Sequence, residues 1–126
     1  MATGPVFTGT PRCAVGQVTA ANTARDGTGT LVNIFTAGAS GSRISRVFCK
    51  AAVTTTAGMI RLFIYDGSAT RLWREYPVTA ITVGASTKSW EVEEAFFDLV
   101  IPANYIVKAS THNAEACNVI IDGGDF

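Results

Sequence analysis

The chain has one histidine, three cysteines, four prolines and no net charge, its ten basic residues being matched by ten acidic ones. Each shortage excludes something. The single imidazole, His112, has no second histidine with which to share a metal, and its nearest thiol is Cys117. A tetrahedral zinc site needs about four ligands, and a thiol nucleophile needs a positioned base; neither set is complete. His112 is therefore expected to be structural, hydrogen-bonded in a loop between the last two strands. Cys13, Cys49 and Cys117 are odd in number, so no complete intramolecular disulfide framework can form, and a reducing compartment is expected. Balanced charge supplies no global field for nucleic acid or an anionic membrane, and neither is an expected partner. No apolar run approaches the roughly 18 residues that suggest a membrane span. Met1-Ala2-Thr3-Gly4-Pro5 lacks the basic and apolar regions of a signal peptide. The expectation is a protein made and kept soluble in a cytoplasm.

What is present is β-forming. The 126 residues are 48% hydrophobic, enough for one domain with a real core and too few for two ordinary ones. The most informative stretch is Gly58 to Tyr76. Ile60, Leu62 and Ile64 alternate with Arg61, Phe63 and Tyr65, Asp66-Gly67-Ser68-Ala69 can reverse the chain, and Leu72-Trp73-Arg74-Glu75-Tyr76 resumes an alternation. This is a β-hairpin pattern.

Before it, Met1 to Cys13 holds Gly4-Pro5 and Thr10-Pro11 and reads as an extended arm, since proline denies it regular ladder or helix geometry. Strands are expected over Val15–Asn22, Thr30–Thr36 and Ile44–Val53, with dense turn residues at Arg25-Asp26-Gly27-Thr28-Gly29. In the third of these Val47, Cys49, Ala51 and Val53 point one way, and Arg46, Phe48 and Lys50 the other. After the hairpin, Pro77 suggests an edge or bend before a strand over Val78–Val83. Further strands are expected at Trp90–Glu93, where a helix is the alternative, and at Leu99–Asn104, Tyr105–Thr111 and Cys117–Ile121. The last is expected to stop at Asp122-Gly123-Gly124-Asp125. Short strands at regular spacing without an amphipathic helix predict an all-β, single-domain antiparallel β-sandwich, jelly-roll-like, with residues 1–14 as the arm and 15–126 as the sandwich. A closed barrel is the alternative.

Other chemistry is weak. Glu91 and Glu93 share a strand face, with nothing nearby in sequence to split their acidities, and read as solvated. The carboxylates of Asp122 and Asp125 fall short of a calcium loop, which needs more oxygen ligands in fixed positions. No catalytic residue, cofactor or metal is expected. Arg61, Phe63, Tyr65, Trp73 and Arg74 combine aromatic and guanidinium groups on one ribbon, the composition of an interface hot spot and also of a sugar-stacking platform. A second buried layer is the alternative. In the arm, Val6-Phe7-Thr8 is strand-competent, and Val6 and Phe7 join the expected partner-interface residues. Cys13 could form an intermolecular bond. Residues 1–74 carry eight bases and two acids and residues 75–126 the reverse, giving halves of +6 and −6. Either strands from the two halves interleave and neutralise one another, or a dipolar surface steers docking.

The segments Thr54-Thr-Thr-Ala-Gly-Met-Ile-Arg-Leu-Phe-Ile-Tyr-Asp-Gly67, Leu72-Trp-Arg-Glu75, Ala109-Ser-Thr-His-Asn-Ala-Glu115 and Gly123-Gly-Asp-Phe126 resemble small structural proteins of tailed bacteriophages. The similarity spans about residues 20 to 126 and leaves the arm outside it. The resemblance implies a β-sandwich head decoration or cement protein. Such a protein would be a non-enzymatic virion component made in the host bacterial cytoplasm, commonly a homotrimer, with the major capsid protein or other virion proteins as partners. A neck, tail or fibre component, or a carbohydrate-binding module for host attachment, are the alternative roles.

Overall fold

The computed structural model describes residues 8–95 and 98–126. Among them nine strands form: β1 (Thr10–Val18), β2 (Val32–Thr36), β3 (Ser42–Ala51), β4 (Gly58–Tyr65), β5 (Thr70–Val78), β6 (Glu91–Glu94), β7 (Leu99–Ile101), β8 (Ile106–Thr111) and β9 (Cys117–Asp125). They make two sheets. The first runs β1-β9-β3-β6, with β7 also paired to β3, and the second runs β2-β8-β4-β5. Every strand pairing is antiparallel. The all-β, sandwich-like single domain expected from period-two patterning is what the chain adopts, and the helical alternative for Trp90–Glu94 is not.

The core lies between the sheets. Ile44, Val47, Cys49, Val119 and Ile121 come from the first sheet, and Phe35, Ile60, Leu62, Val107 and Ala109 from the second. At about 25 cal/mol per Å² of apolar surface removed from water, burial of this kind is the main term opposing the chain entropy of so strand-rich a fold.

Several expected boundaries move, and the first strand, expected over Val15–Asn22, ends at Val18. Residues 10–14, assigned to the arm, belong to β1, which pairs with β9 from Thr10↔Asp125 to Val18↔Cys117. Pro11 is tolerated because β1 is an edge strand and needs donors on one side only. Pro77 likewise sits inside β5, opposite Met59 on the edge of the second sheet, so β5 runs through it to Val78. The strand expected over Val78–Val83 is instead reduced to a bridge between Ile81 and Thr55. Finally, Gly123-Gly124 does not stop β9. A Cβ on Gly123 would collide with the Arg43 carbonyl, and one on Gly124 with the Thr8 side chain, so these glycines permit close backbone approach within the sheet.

Residues 19–31 connect β1 to β2 and lie against the outer face of the second sheet. The Asn22 amide donates to the Thr111 carbonyl at 2.8 Å. The Asn22 side chain closes the loop on itself, donating to the carbonyls of Thr28 and Thr30 at 2.9 Å each and accepting from Ala24 N–H at 3.0 Å. Gly27, at φ 87°, presses on Thr70 where any side chain would collide.

Candidate partner-binding surface

The strap formed by residues 19–31 changes the reading of the hairpin. Arg61, Phe63 and Tyr65 point to the outer face of the second sheet, as alternation requires, but that face is covered. Arg61 is only 2% exposed and Phe63 is fully buried. The Arg61 guanidinium donates from Nε to Glu75 at 3.0 Å and from Nη1 to the Asn22 carbonyl at 3.4 Å, with His112 Nδ1 3.3 Å away. Accepting from Arg61 leaves the His112 proton on Nε2. The lone histidine is thus a structural hydrogen-bonding residue between β8 and β9. Glu75 also accepts from Arg25 Nε at 2.8 Å, and the two guanidinium groups, Arg25 foremost, hold its carboxyl below the usual carboxylate range. Tyr65 is half-buried, with Lys108 Nζ 4.6 Å from its ring centre. Arg61 and Phe63 therefore offer no surface to a partner.

Trp73 and Arg74 lie on the other side of the sheet. The β4–β5 register pairs Phe63 with Leu72 but Leu62 with Arg74, so a bulge absorbs Trp73 as an extra residue. Residues directly opposite share a face, which puts Arg74 on the side of Leu62, and Trp73 packs against the core cluster. There Arg74 Nε lies 3.4 Å from Glu94 on β6, and the Tyr76 hydroxyl donates to the same carboxylate at 2.7 Å, tying the two sheets at one open side. Burial, then the Glu94 carboxylate, pushes the Tyr76 phenol up. Tyr65 and Trp73 thus lie on opposite faces and make no common stacking platform. Val6 and Phe7 fall outside the described residues.

The outer face of the first sheet is the surface that hairpin-centred reasoning missed. Its register aligns three cross-strand rows. Gln17, Asn118, Lys50 and Glu91 form one; Val15, Ile120, Phe48 and Glu93 form the next; Cys13, Asp122 and Arg46 form the third. The middle row is apolar through three strands, and Val15 at its end is 66% exposed. Ion pairs frame it, Lys50 to Glu91 at 2.9 Å on one side and Arg46 to Asp122 and to Glu93 at 2.8 Å each on the other. An apolar centre with a polar rim is the anatomy of a protein interface. Two signals in the sequence pointed here: Phe48 on the non-core side of its strand, and Ile120-Ile121, of which one must face outward. Glu91 and Glu93 share the solvated strand face expected of them, and in addition pair with Lys50 and Arg46.

Asp122 and Asp125 act separately rather than as a calcium loop. Asp125 accepts from Ser42 Oγ at 2.6 Å and from Arg12 at 3.1 Å, and these contacts hold its carboxyl low. Among the described residues no group of three or more His, Cys, Asp or Glu is placed to hold a metal ion. A small cleft at one end of the sandwich, lined by Thr55, Met59, Trp90, Asn113 and Glu115 among others, encloses space for about one water molecule.

No protein-family model matches the chain, and no curated protein matches it. Among solved structures, a chain described as the cyanophage Pam1 capsid asymmetric unit is similar over 100% of this chain and 92% of that one, at 18% identity and a TM-score of 0.47. A likeness of that depth assigns no function.

Proposed function

We propose that the protein is a non-enzymatic structural component of a tailed-bacteriophage virion, and within the virion a decoration or cement protein that binds the assembled head. The family resemblance of its strand and turn motifs supports the class. The observation that carries the binding role is the outer face of the first sheet, where Val15, Ile120 and Phe48 form an apolar row bordered by ion-paired rows. A protein that binds only the assembled shell stabilises it by mass action, and its effect grows with the logarithm of its concentration over its dissociation constant. The shell contacts such a face through added apolar area, with the charged rows setting register.

The test is cosedimentation with heads of the encoding phage. The intact protein is expected to pellet with them in near-capsomer stoichiometry, and Ile120→Lys, which places a charge at the centre of the row, to remain in the supernatant with unchanged circular dichroism. A wild-type protein that never pellets with heads, or an Ile120→Lys protein that pellets equally well, would sink the proposal. Pelleting with tails alone would move the protein to the neck, tail or fibre.

A further inference from the structure

The strands that border the two sheets are not equally protected. Exposed edges invite pairing with another chain, and proteins blunt them with charge, proline, bulges or shortness. The β5 edge carries Arg71, Arg74, Glu75, Pro77 and a bulge. The β6 edge is four residues long and bears Glu91, Glu93 and Glu94, and β7 has three residues. The β2 edge has five residues and a register shift. By contrast, β1 is nine residues long, its one proline, Pro11, lies at its second position, and the six residues Cys13-Ala14-Val15-Gly16-Gln17-Val18 contain neither charge nor proline. Its single charged residue, Arg12, is drawn away from the edge: Nη1 donates to the Thr36 carbonyl and to Asp125, and the guanidinium lies 4.2 Å from the Phe35 ring centre.

We propose that this edge pairs with a second copy of itself, β1 running antiparallel to β1 about a two-fold axis centred on Val15. That alignment sets Val15 against Val15, Cys13 against Gln17 and Arg12 against Val18 of the second copy, so no like charges meet. Self-pairing of β6 would oppose glutamates to one another, and the bulge and proline of β5 interrupt its ladder. The two-fold also makes the apolar row continuous, Phe48-Ile120-Val15 of one chain meeting Val15-Ile120-Phe48 of the next, and covers one flank of Val15, which is 66% exposed in the single chain. The contact is isologous, the commonest form of closed assembly, and it joins two four-strand paths into one continuous sheet. It is independent of the virion assignment.

Sedimentation equilibrium on the full chain tests the pairing. The wild type is expected at the mass of two chains, with a melting temperature that rises with protein concentration, and Val15→Lys at the mass of one, with unchanged circular dichroism and a melting temperature independent of concentration. A second variant gives a positive signal: Gln17→Cys places a thiol opposite native Cys13 at both symmetric positions, within the Cα separation that a disulfide spans. Mild oxidation should convert Gln17→Cys to a covalent dimer, and the double variant Val15→Lys/Gln17→Cys should stay monomeric. A monomeric wild type, an oligomer of any size indifferent to Val15→Lys, or a Gln17→Cys protein that does not cross-link would each overturn the proposal.

Discussion

Arg61 shows how far one buried charge constrains this molecule. It sits at the junction of β4, β5, the strap and the β8–β9 loop, and its partners Glu75, Asn22 and His112 come from three different segments. Arg61→Ala would leave Glu75 with only Arg25 and would open a void beneath the strap. Loss of charge-assisted hydrogen bonds together with that void predicts about 2–4 kcal/mol of destabilisation. Arg61→Met should cost clearly less, because it fills the volume. Urea denaturation of both variants checks this, and equal losses would mean that the void is unimportant. The thiols differ in the same environment-dependent way. Burial pushes the Cys49 thiol far up and the Cys117 thiol up to about 12, while exposed Cys13 lies beside Asp122, whose hydrogen bond and charge also raise it. Since the thiolate is the reactive form, alkylation of the native protein at neutral pH should label Cys13 alone, slowly, with the other two reacting only after unfolding. Rapid labelling of Cys49 or Cys117 would contradict the packing.

At the scale of elements, β1 begins at Thr10, inside the stretch expected to be an arm. Truncation of residues 2–7 removes no described strand pair and should leave the melting temperature nearly unchanged. Truncation of residues 2–12 removes the Thr10↔Asp125, Pro11↔Gly124 and Arg12↔Gly123 pairings and the Arg12–Asp125 ion pair, and should lower it by several degrees. If Val6 and Phe7 help to hold the head, the shorter truncation will weaken head binding without loss of stability, and undiminished binding would remove the arm from the mechanism. The hairpin was legible in sequence because its signals are local: alternation over Met59–Tyr65 and a turn at Asp66-Gly67. The bulge that sends Trp73 and Arg74 to the core side was not, since register depends on what each strand faces across the sandwich. The cover over Arg61 and Phe63 was one of the two sequence readings, a second buried layer, but the segment that supplies it was not legible, since it rests on Asn22 reaching Thr111, a contact remote in sequence. The open outer face was half legible: Phe48 was visibly off the core side, but its neighbours Ile120 and Val15 join it only through the β3-β9-β1 order.

For the whole molecule, the opposite charges of the two halves are consumed internally. Arg12 pairs with Asp125, Arg43 with Asp98, Arg46 with Glu93 and Asp122, Lys50 with Glu91, Arg61 with Glu75, and Arg74 with Glu94. Each of these, like Arg25–Glu75, joins a base from the first 74 residues to an acid from the remainder, while Arg71–Asp66 and Lys88–Glu91 pair within one half, so interleaving of the halves accounts for most of the asymmetry. The arrangement makes stability depend on pH with a definite sign. Asp26 and Asp66 are held low mainly by hydrogen bonds from Thr28 and from the amides of Ala69 and Ser68, Glu75 by Arg25 and Arg61, Glu91 by Lys50, and Asp125 by Ser42 and Arg12. A carboxyl with a lower pKa when folded stabilises the fold fully above its unfolded value, about 4 for Asp and Glu, and that contribution is lost as pH falls through the folded value. Urea midpoints should therefore hold steady from pH 7 to about 5 and fall progressively below about 4.5. Asp26 and Glu91 are exposed and Asp66, Glu75 and Asp125 are only half-buried, so each contributes modestly and the decline should be shallow and spread over the set. Glu75→Gln, which removes the acid shared by Arg25 and Arg61, should lower stability at neutral pH and flatten the acid limb; a midpoint that rises on acidification would contradict the ion-pair account.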